Sequence, residues 1–391
     1  SNMVKFLLLL FAYLISQQNI IAQEFPYKLS KDIFAEKDSN QNAFALQIAA
    51  TNFAFQGDYK QALKTWNEQR PNQKEIKLTE FDSLFLAKSK VISAKEYILE
   101  KSKEEEIIIL NELHHNSSHR KFARSLLKGL YDNGYRYLGL EALNDVHINQ
   151  RKFGTLESGY YTSEPEFGNF IKEALDLGFT LFGYEASETD NWDTDKWKNR
   201  EIAQAQNIYK FIQNHTDGKY FIYCGAGHAF EGDNNGRGKS MAGVLADLTK
   251  INPLTIDQNR YSDKGENRYN QPLSKLVQSN VPSILINSEE TIFRSNSTSY
   301  ETDISIIQPI INFEKIDSSW LNDNVQIEVE IPTEKTINYP ALLLIYRKGE
   351  LEMNGIPTKI IELANNQKKI FVKKGNYDYL IIDSKNNKIH Y

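Results

Sequence analysis

Ile107-Ile108-Ile109-Leu110-Asn111-Glu112-Leu113-His114-His115-Asn116-Ser117-Ser118-His119 is the stretch that decides the fold. Its first four residues are apolar and mostly β-branched, as in a buried strand. The nine that follow hold three of the chain's seven histidines and one glutamate. Phe122, Leu126, Leu127 and Leu130 then recur at helical spacing, and Gly134 stands in the C-cap place. Acid/base or metal-binding groups therefore fall at the carboxyl end of a strand, where open α/β sheets bind ligands.

The same order repeats downstream. Residues 137–140 read as a strand ending at Glu141, and residues 167–177 as a helix closed by Gly178. Residues 180–184 form a strand ending at Glu185, and residues 200–214 a helix. Residues 220–224 lead into Gly225-Ala226-Gly227-His228, and a helix covers 239–248. Further strands are expected near 253–256, 283–286 and 304–307. Strands alternating with helices predict an α/β fold, a mostly parallel sheet flanked by helices, over residues 105–319. Glu112, Glu141, Glu185 and His228 then lie at four strand ends facing one crevice. Each alone reads as a solvated loop residue, but four in succession point to a shared site.

Two appendages flank this core. Residues 23–104 read as a helical segment, polar and extended over 24–42 and helical at 44–50, 61–66 and 80–100. Ala50, Gly57, Tyr59 and Ala62 have the spacing of one TPR-like (tetratricopeptide) helix hairpin. One such unit cannot bury its own face, so it is expected to cap the core. Beyond residue 320, period-2 alternation over 325–331 and strand candidates at 341–346, 370–372 and 377–382 predict a small C-terminal β-domain, residues 320–391.

At 391 residues the chain is longer than one typical domain. Its net charge of -5 leaves no basic footprint for nucleic acid. Lys5 precedes an apolar run over residues 6–15, and Ala22 follows at a plausible cleavage point, the pattern of a signal peptide over 1–22. The run is too short to span a bilayer comfortably. The expectation is an exported chain, periplasmic or extracellular, with no transmembrane segment after cleavage. No cysteine lies near the cleavage point, so no lipid anchor is expected; the only cysteine, Cys224, has no disulfide partner in the chain.

His114 and His115 face opposite ways on an extended segment, so one of them points into the crevice. Either can act as general base, with Glu112 and Glu141 orienting it. Arg200 and His228 are expected to bind or polarise a small-molecule or peptide substrate, with Glu185 and Asn207 beside them. His114, His119, Glu141 and His228 form an alternative metal-ligand set suited to a divalent ion. Its spacing is not that of a HExxH helix. Tyr160, Tyr161, Trp192 and Trp197 lie in the connections, where they either pack or form flat walls for haem or a bulky substrate. The run Asn234-Asn235-Gly236-Arg237-Gly238-Lys239-Ser240 lacks the spacing of a phosphate loop and reads as a loop before a helix.

The succession NELHHNSSH, GLEA, GYEA, NREIAQAQN and GAGHA, over residues ~105–310, resembles the superfamily of ChaN-like haem-binding uptake proteins, erythromycin esterases and Tiki/TraB proteases. The haem-uptake pattern matches Glu112, His114 and His119, with Asn111 in place of its glycine. The esterase pattern matches Glu112 with His115, then Glu141, then Arg200-Glu201 followed by Asn207. The Tiki pattern matches Gly225 to His228, and Asn111 to His114 without the glycine. The esterase likeness implies a metal-free histidine base, the Tiki likeness a metal-dependent peptidase, and the ChaN likeness haem held by Tyr and His. No haem-ligating tyrosine is matched in this sequence.

Overall fold

Turns and caps set the first helices. In a computed structural model of the chain, the described residues are 25–187, 195–233, 236–295, 301–311, 326–330, 336–364 and 369–391. The expected signal segment, Trp192 and the pair Asn234-Asn235 lie outside them. Helix α1 covers Ser30–Ser39, α2 Ala45–Gln56 and α3 Tyr59–Asn67. Gly57 ends α2 in the left-handed region, and the Asp58 side chain accepts the Gln61 N–H to start α3. Helix α1 replaces the extended stretch expected over 24–42. Only Ile33 of α1 is buried, packed with Ala49, Phe53, Ala54 and Ala62, so its own sequence carries little periodic signal.

The long helix expected over 80–100 is two helices with a strand between them. Helix α4 covers Glu80–Ala87, strand β1 Ser89–Ser93 and helix α5 Ala94–Lys101. Val91 and Ile92 favour the extended state, and the Ser93 side chain caps α5. Pairing with a partner strand, residues 283–287, adds to that preference and keeps the segment extended.

The core continues as β2 (Ile107–Glu112), α6 (Ser117–Asp132), β3 (Tyr135–Leu140), α7 (Pro165–Leu177), β4 (Thr180–Gly183), α8 (Lys196–Asn214), β5 (Lys219–Gly225), α9 (Met241–Thr249), β6 (Leu254–Tyr261), β7 (Ser283–Asn287) and β8 (Ile304–Ile307). These strands and β1 form one eight-stranded sheet in the order β1-β7-β8-β6-β2-β5-β3-β4. Strand β7 runs antiparallel to both its neighbours, and the pairings from β8 through to β4 are parallel. Alternate residues point to opposite faces. Ile108, Leu110, Leu138, Phe221 and Tyr223 pack under α5, α6 and α7. Ile107, Ile109, Tyr137, Ile222 and Cys224 pack under α8 and α9. Covered faces on both sides explain why these strands read as continuous apolar runs. Among the described residues no helix is long and apolar enough to cross a membrane.

The C-terminal unit comprises β9 (Gln326–Glu330), β10 (Ala341–Arg347), β11 (Lys359–Leu363), β12 (Lys369–Lys373), β13 (Tyr377–Asp383) and β14 (Lys388–His390). Four of these form an antiparallel sheet, β11-β10-β13-β14, and β9 pairs with β12. Strands β11 and β14 are additions to the sequence expectation. One face of the four-stranded sheet buries Leu342, Leu344, Tyr346 and Ile360 against Phe55 of α2 and Tyr27. The two appendages thus pack on each other as well as on the core.

Candidate active site

Glu112 ends β2 and is almost fully buried. Arg120, in the first turns of α6, grips it with two hydrogen bonds of 2.8 Å each, and the Tyr223 hydroxyl donates a third at 2.8 Å. Arg120 also donates to Glu164 at 2.9 Å and to the His114 carbonyl at 3.0 Å. Burial alone would raise the Glu112 carboxyl. The Arg120 guanidinium, helped by His114, overrides this and holds it well below the usual carboxylate range.

His114 lies 2.7 Å from Glu112 through Nδ1. An ionised carboxylate only accepts hydrogen bonds, so Nδ1 carries the proton and Nε2 is the basic nitrogen. The ring stacks on Tyr161 with centroids 3.8 Å apart. Nε2 faces Gly225 at the end of β5: a Cβ there would stand 3.1 Å from His114 Nε2 and 3.2 Å from Glu141 Oε2. Glycine at this position lets the two side chains meet over the backbone.

Glu141, just past β3, accepts from Arg200 Nη2 at 2.6 Å and from the Gly225 N–H. Arg200, in α8, also grips Glu185 at 3.0 Å through Nε and at 2.5 Å through Nη2, while Gln204 donates to Glu185 at 3.0 Å. His228 Nε2 lies 3.3 Å from Glu141, and its Nδ1 lies 2.7 Å from Glu201. That second contact is a close ion pair and not an aligned hydrogen bond. Arg200 Nη1 stands 3.1 Å from His228 Nε2, which would suit a neutral ring accepting a hydrogen bond from the guanidinium. Three carboxylates around the single Arg200 charge favour the protonated ring instead. Burial lowers the His228 pKa, but Glu141 and Glu201 outweigh it and raise it to about 10.

The four strand-end residues therefore lie in two adjoining clusters, Glu112 on Arg120 and Glu141, Glu185 and His228 around Arg200. The two adjacent histidines separate. His115 points away from the site and stacks on Trp66 of α3, centroids 3.9 Å apart. Burial, then Lys264, holds it neutral, well below the ordinary histidine value. Of the two alternative bases, His114 therefore lies beside Glu112 and His115 does not. His119 also leaves the site: its Nδ1 accepts the Leu113 N–H at 3.0 Å, and burial lowers its pKa to about 3. Asn207 donates to the Tyr184 and Glu185 carbonyls at 3.2 Å each and so braces the end of β4.

The sequence reading missed Arg120, Glu164 and Tyr223. Arg120 had a signal, since it shares the buried stripe of α6 with Ala123 and Leu127. Solvent reaches the network at His114 and Glu185, whose side chains are 18% and 21% exposed. A cleft of about 900 Å³ lies elsewhere and shares none of these residues.

The expected metal set does not assemble, because His119 faces Leu113 and both His228 nitrogens face carboxylates. Among the described residues no group of three or more His, Cys, Asp or Glu is spaced to hold a metal ion. Haem fares no better on donor chemistry. Tyr161, the tyrosine beside the site, is buried and stacked face to face on His114.

No protein-family model matches the chain, and no curated relative is found by sequence. Solved structures with a similar arrangement include the type III effector HopBA1, at TM-score 0.36 and 10% identity, over 55% of this chain and 92% of that one. ChaN of Campylobacter jejuni with cofacial heme matches at TM-score 0.34 and 11% identity, over 56% and 92%. RRSP, a MARTX toxin effector domain from Vibrio vulnificus CMCP6, matches at TM-score 0.32 and 12% identity, over 70% of this chain and 48% of that one. These likenesses all lie below a TM-score of 0.5 and define no family for the chain. No residue role carries over from them.

Proposed function

We propose that this protein is a hydrolase of ester or amide bonds, exported and acting outside the cytoplasm, with His114 as general base. One observation carries the reading. Glu112, locked by Arg120, orients His114 through Nδ1 and leaves Nε2 beside Gly225, at a ring that solvent reaches. A carboxylate that fixes the tautomer and steadies the imidazolium is the logic of nucleophile-activating triads.

Water attacks the substrate carbonyl carbon while His114 Nε2 takes the water proton. The bond to the leaving group then breaks, and the proton passes from Nε2 to that group. Arg200 and protonated His228 supply positive potential for the oxyanion. Glu185, at the exposed end of the network, meets the substrate first.

The test is turnover on panels of esters and peptides for wild type, H114A and H115A. Loss in H114A with retention in H115A supports the reading, and retained turnover in H114A ends it. The competing reading is a haem- or metal-binding protein of iron uptake. A Soret band shift on haemin titration, without any turnover, would favour that one.

A further inference from the structure

We propose that the open edge of β1 takes up an extended, acidic peptide segment as a ninth strand of the eight-stranded sheet. Strands β7, β8 and β6 stand between this edge and β2, so the proposal is independent of the His114 reading.

The backbone is the first argument. Strand β1 is outermost, and among the described residues no strand pairs with its far side. The Ala94 N–H donates to the Pro282 carbonyl at 2.9 Å, and the same register sets Ile92 opposite Ile284 and Lys90 opposite Ile286. Hydrogen bonding alternates along an antiparallel strand, so the residues between, Ser89, Val91 and Ser93, turn their N–H and C=O groups away from β7. The other edge of the sheet is treated differently. There the Asn149 side chain accepts the Leu181 N–H of β4 and donates to the Leu181 carbonyl, both at 2.8 Å. A side-chain amide thus takes the place of a neighbouring strand at β4, and no side chain among the described residues does so at Val91. An antiparallel segment laid beside β1 exchanges both hydrogen bonds of Val91 with one of its own residues.

Side chains decide which segment fits. Val91 is 46% exposed and lies opposite Leu285, which packs with Phe85 and Leu86 of α4. Val91 therefore faces the α4 side of the sheet, where Phe81 and Leu84 are exposed as well, and an apolar residue of the incoming strand is covered there. Lys90 points to the opposite face, is exposed, and is the one charge in the paired stretch Ser89–Ser93. Lys88 and Lys95 flank the stretch, while Glu96, Glu289 and Glu290 lie beyond its ends. A lysine on an edge strand discourages pairing with a like strand. A second copy meets that obstacle: the two-fold register through Val91, which pairs all five residues, sets Lys90 diagonally against Lys90 of the copy, roughly 7–8 Å away. A carboxylate opposite Lys90 turns the same charge into an attraction. The fitting segment therefore alternates apolar and acidic residues.

The experiment is fluorescence anisotropy of the full chain with a fluorescein-labelled heptapeptide of alternating valine and glutamate. Two further peptides carry lysine in place of glutamate, or N-methyl groups on the valines, whose N–H groups meet Val91. V91P removes the outward N–H and leaves the bonds to β7, a place where an edge strand tolerates proline. K90E reverses the charge, and K385E, exposed and in the C-terminal unit, is the control. The expected result is saturable binding of the valine–glutamate peptide, weakened roughly ten-fold or more by V91P and by N-methylation. K90E should weaken it several-fold and shift the preference toward the lysine peptide, and K385E should leave it unchanged. If V91P lowers thermal stability, the N-methylated peptide on the wild type carries the same test. No saturable binding at millimolar concentration overturns the proposal. So does equal binding of the plain and N-methylated peptides, or of the glutamate and lysine peptides. A dimer in sedimentation that V91P dissolves also overturns it, in favour of a second copy.

Discussion

Two arginine centres lie side by side in this molecule, built to one plan and left in different solvents. In each, a helix arginine grips a glutamate from a strand end together with a second glutamate. Arg120 holds Glu112 and Glu164, and all three are sealed, at 0%, 2% and 0% side-chain exposure. Arg200 holds Glu141 and Glu185, but Glu185 is 21% exposed. The sealed centre is a fixed anvil, able to set the tautomer of His114 at its rim. The open centre keeps a charged face toward solvent, where a substrate could exchange for water. The same set of one arginine and two glutamates is therefore sealed in one centre and reached by solvent in the other.

The predictions aim at that division, the largest effect first. Removing the imidazole in H114A should cut kcat/KM by roughly 10²–10⁴-fold, the usual worth of a general base. H115A should change it by less than a few-fold, because that ring packs on Trp66. Equal losses in the two variants would erase the distinction between the histidines.

Stability comes next. R120M leaves two buried carboxylates without a counter-charge and should cost about 3–5 kcal/mol in urea unfolding. R200M should cost less, on the order of 2 kcal/mol, since Glu185 can be hydrated and His228 remains beside Glu141. A larger loss in R200M than in R120M would reverse the sealed and open assignments.

Both centres also predict a pH profile. Glu112 and Glu141 have folded pKa values below their ordinary 4.5, so their stabilisation is present above that value and fades as the pH falls. His228 is raised from 6.5 to about 10, so its stabilisation is complete below pH 6.5 and is lost as the pH climbs through 10. Buried His115 and His119, held neutral in the fold, lose stability as the pH falls below 6.5, so thermal unfolding should give its highest Tm near pH 6.5 and a decline on both sides. H228Q should flatten the alkaline decline and leave the acid limb. An unchanged alkaline limb in H228Q would place the titrating group elsewhere. The smallest effect is expected for stability in H115A, which loses its stack on Trp66 and about 1–2 kcal/mol.

Much of the core could be read from residues alone, for a physical reason. Strands covered on both faces must be apolar throughout, so β2, β3 and β5 announce themselves. Strand β1 is quiet because it sits at the sheet edge and carries Ser89, Lys90 and Ser93. Strands β11 and β14 fall short of a clear alternation, and pairing with β10 and β13 makes them extended. Glu112, Glu141, Glu185, Arg200 and His228 were legible in the site because strand ends and a helix start mark them. Glu164 was not, since it caps α7 far along the chain and meets Arg120 only after folding.

What the sequence determined by itself is the alternation of buried strands and helices, and hence a crevice that collects acids and histidines at the carboxyl ends of the strands. Tertiary structure alone decided which of two adjacent histidines enters that crevice. Local chemistry cannot separate His114 from His115. Glu112 draws in the first and Trp66, from a helix more than forty residues earlier, takes the second. The choice rests on partners distant in the chain, and only the packed sheet and its helical cap bring them together.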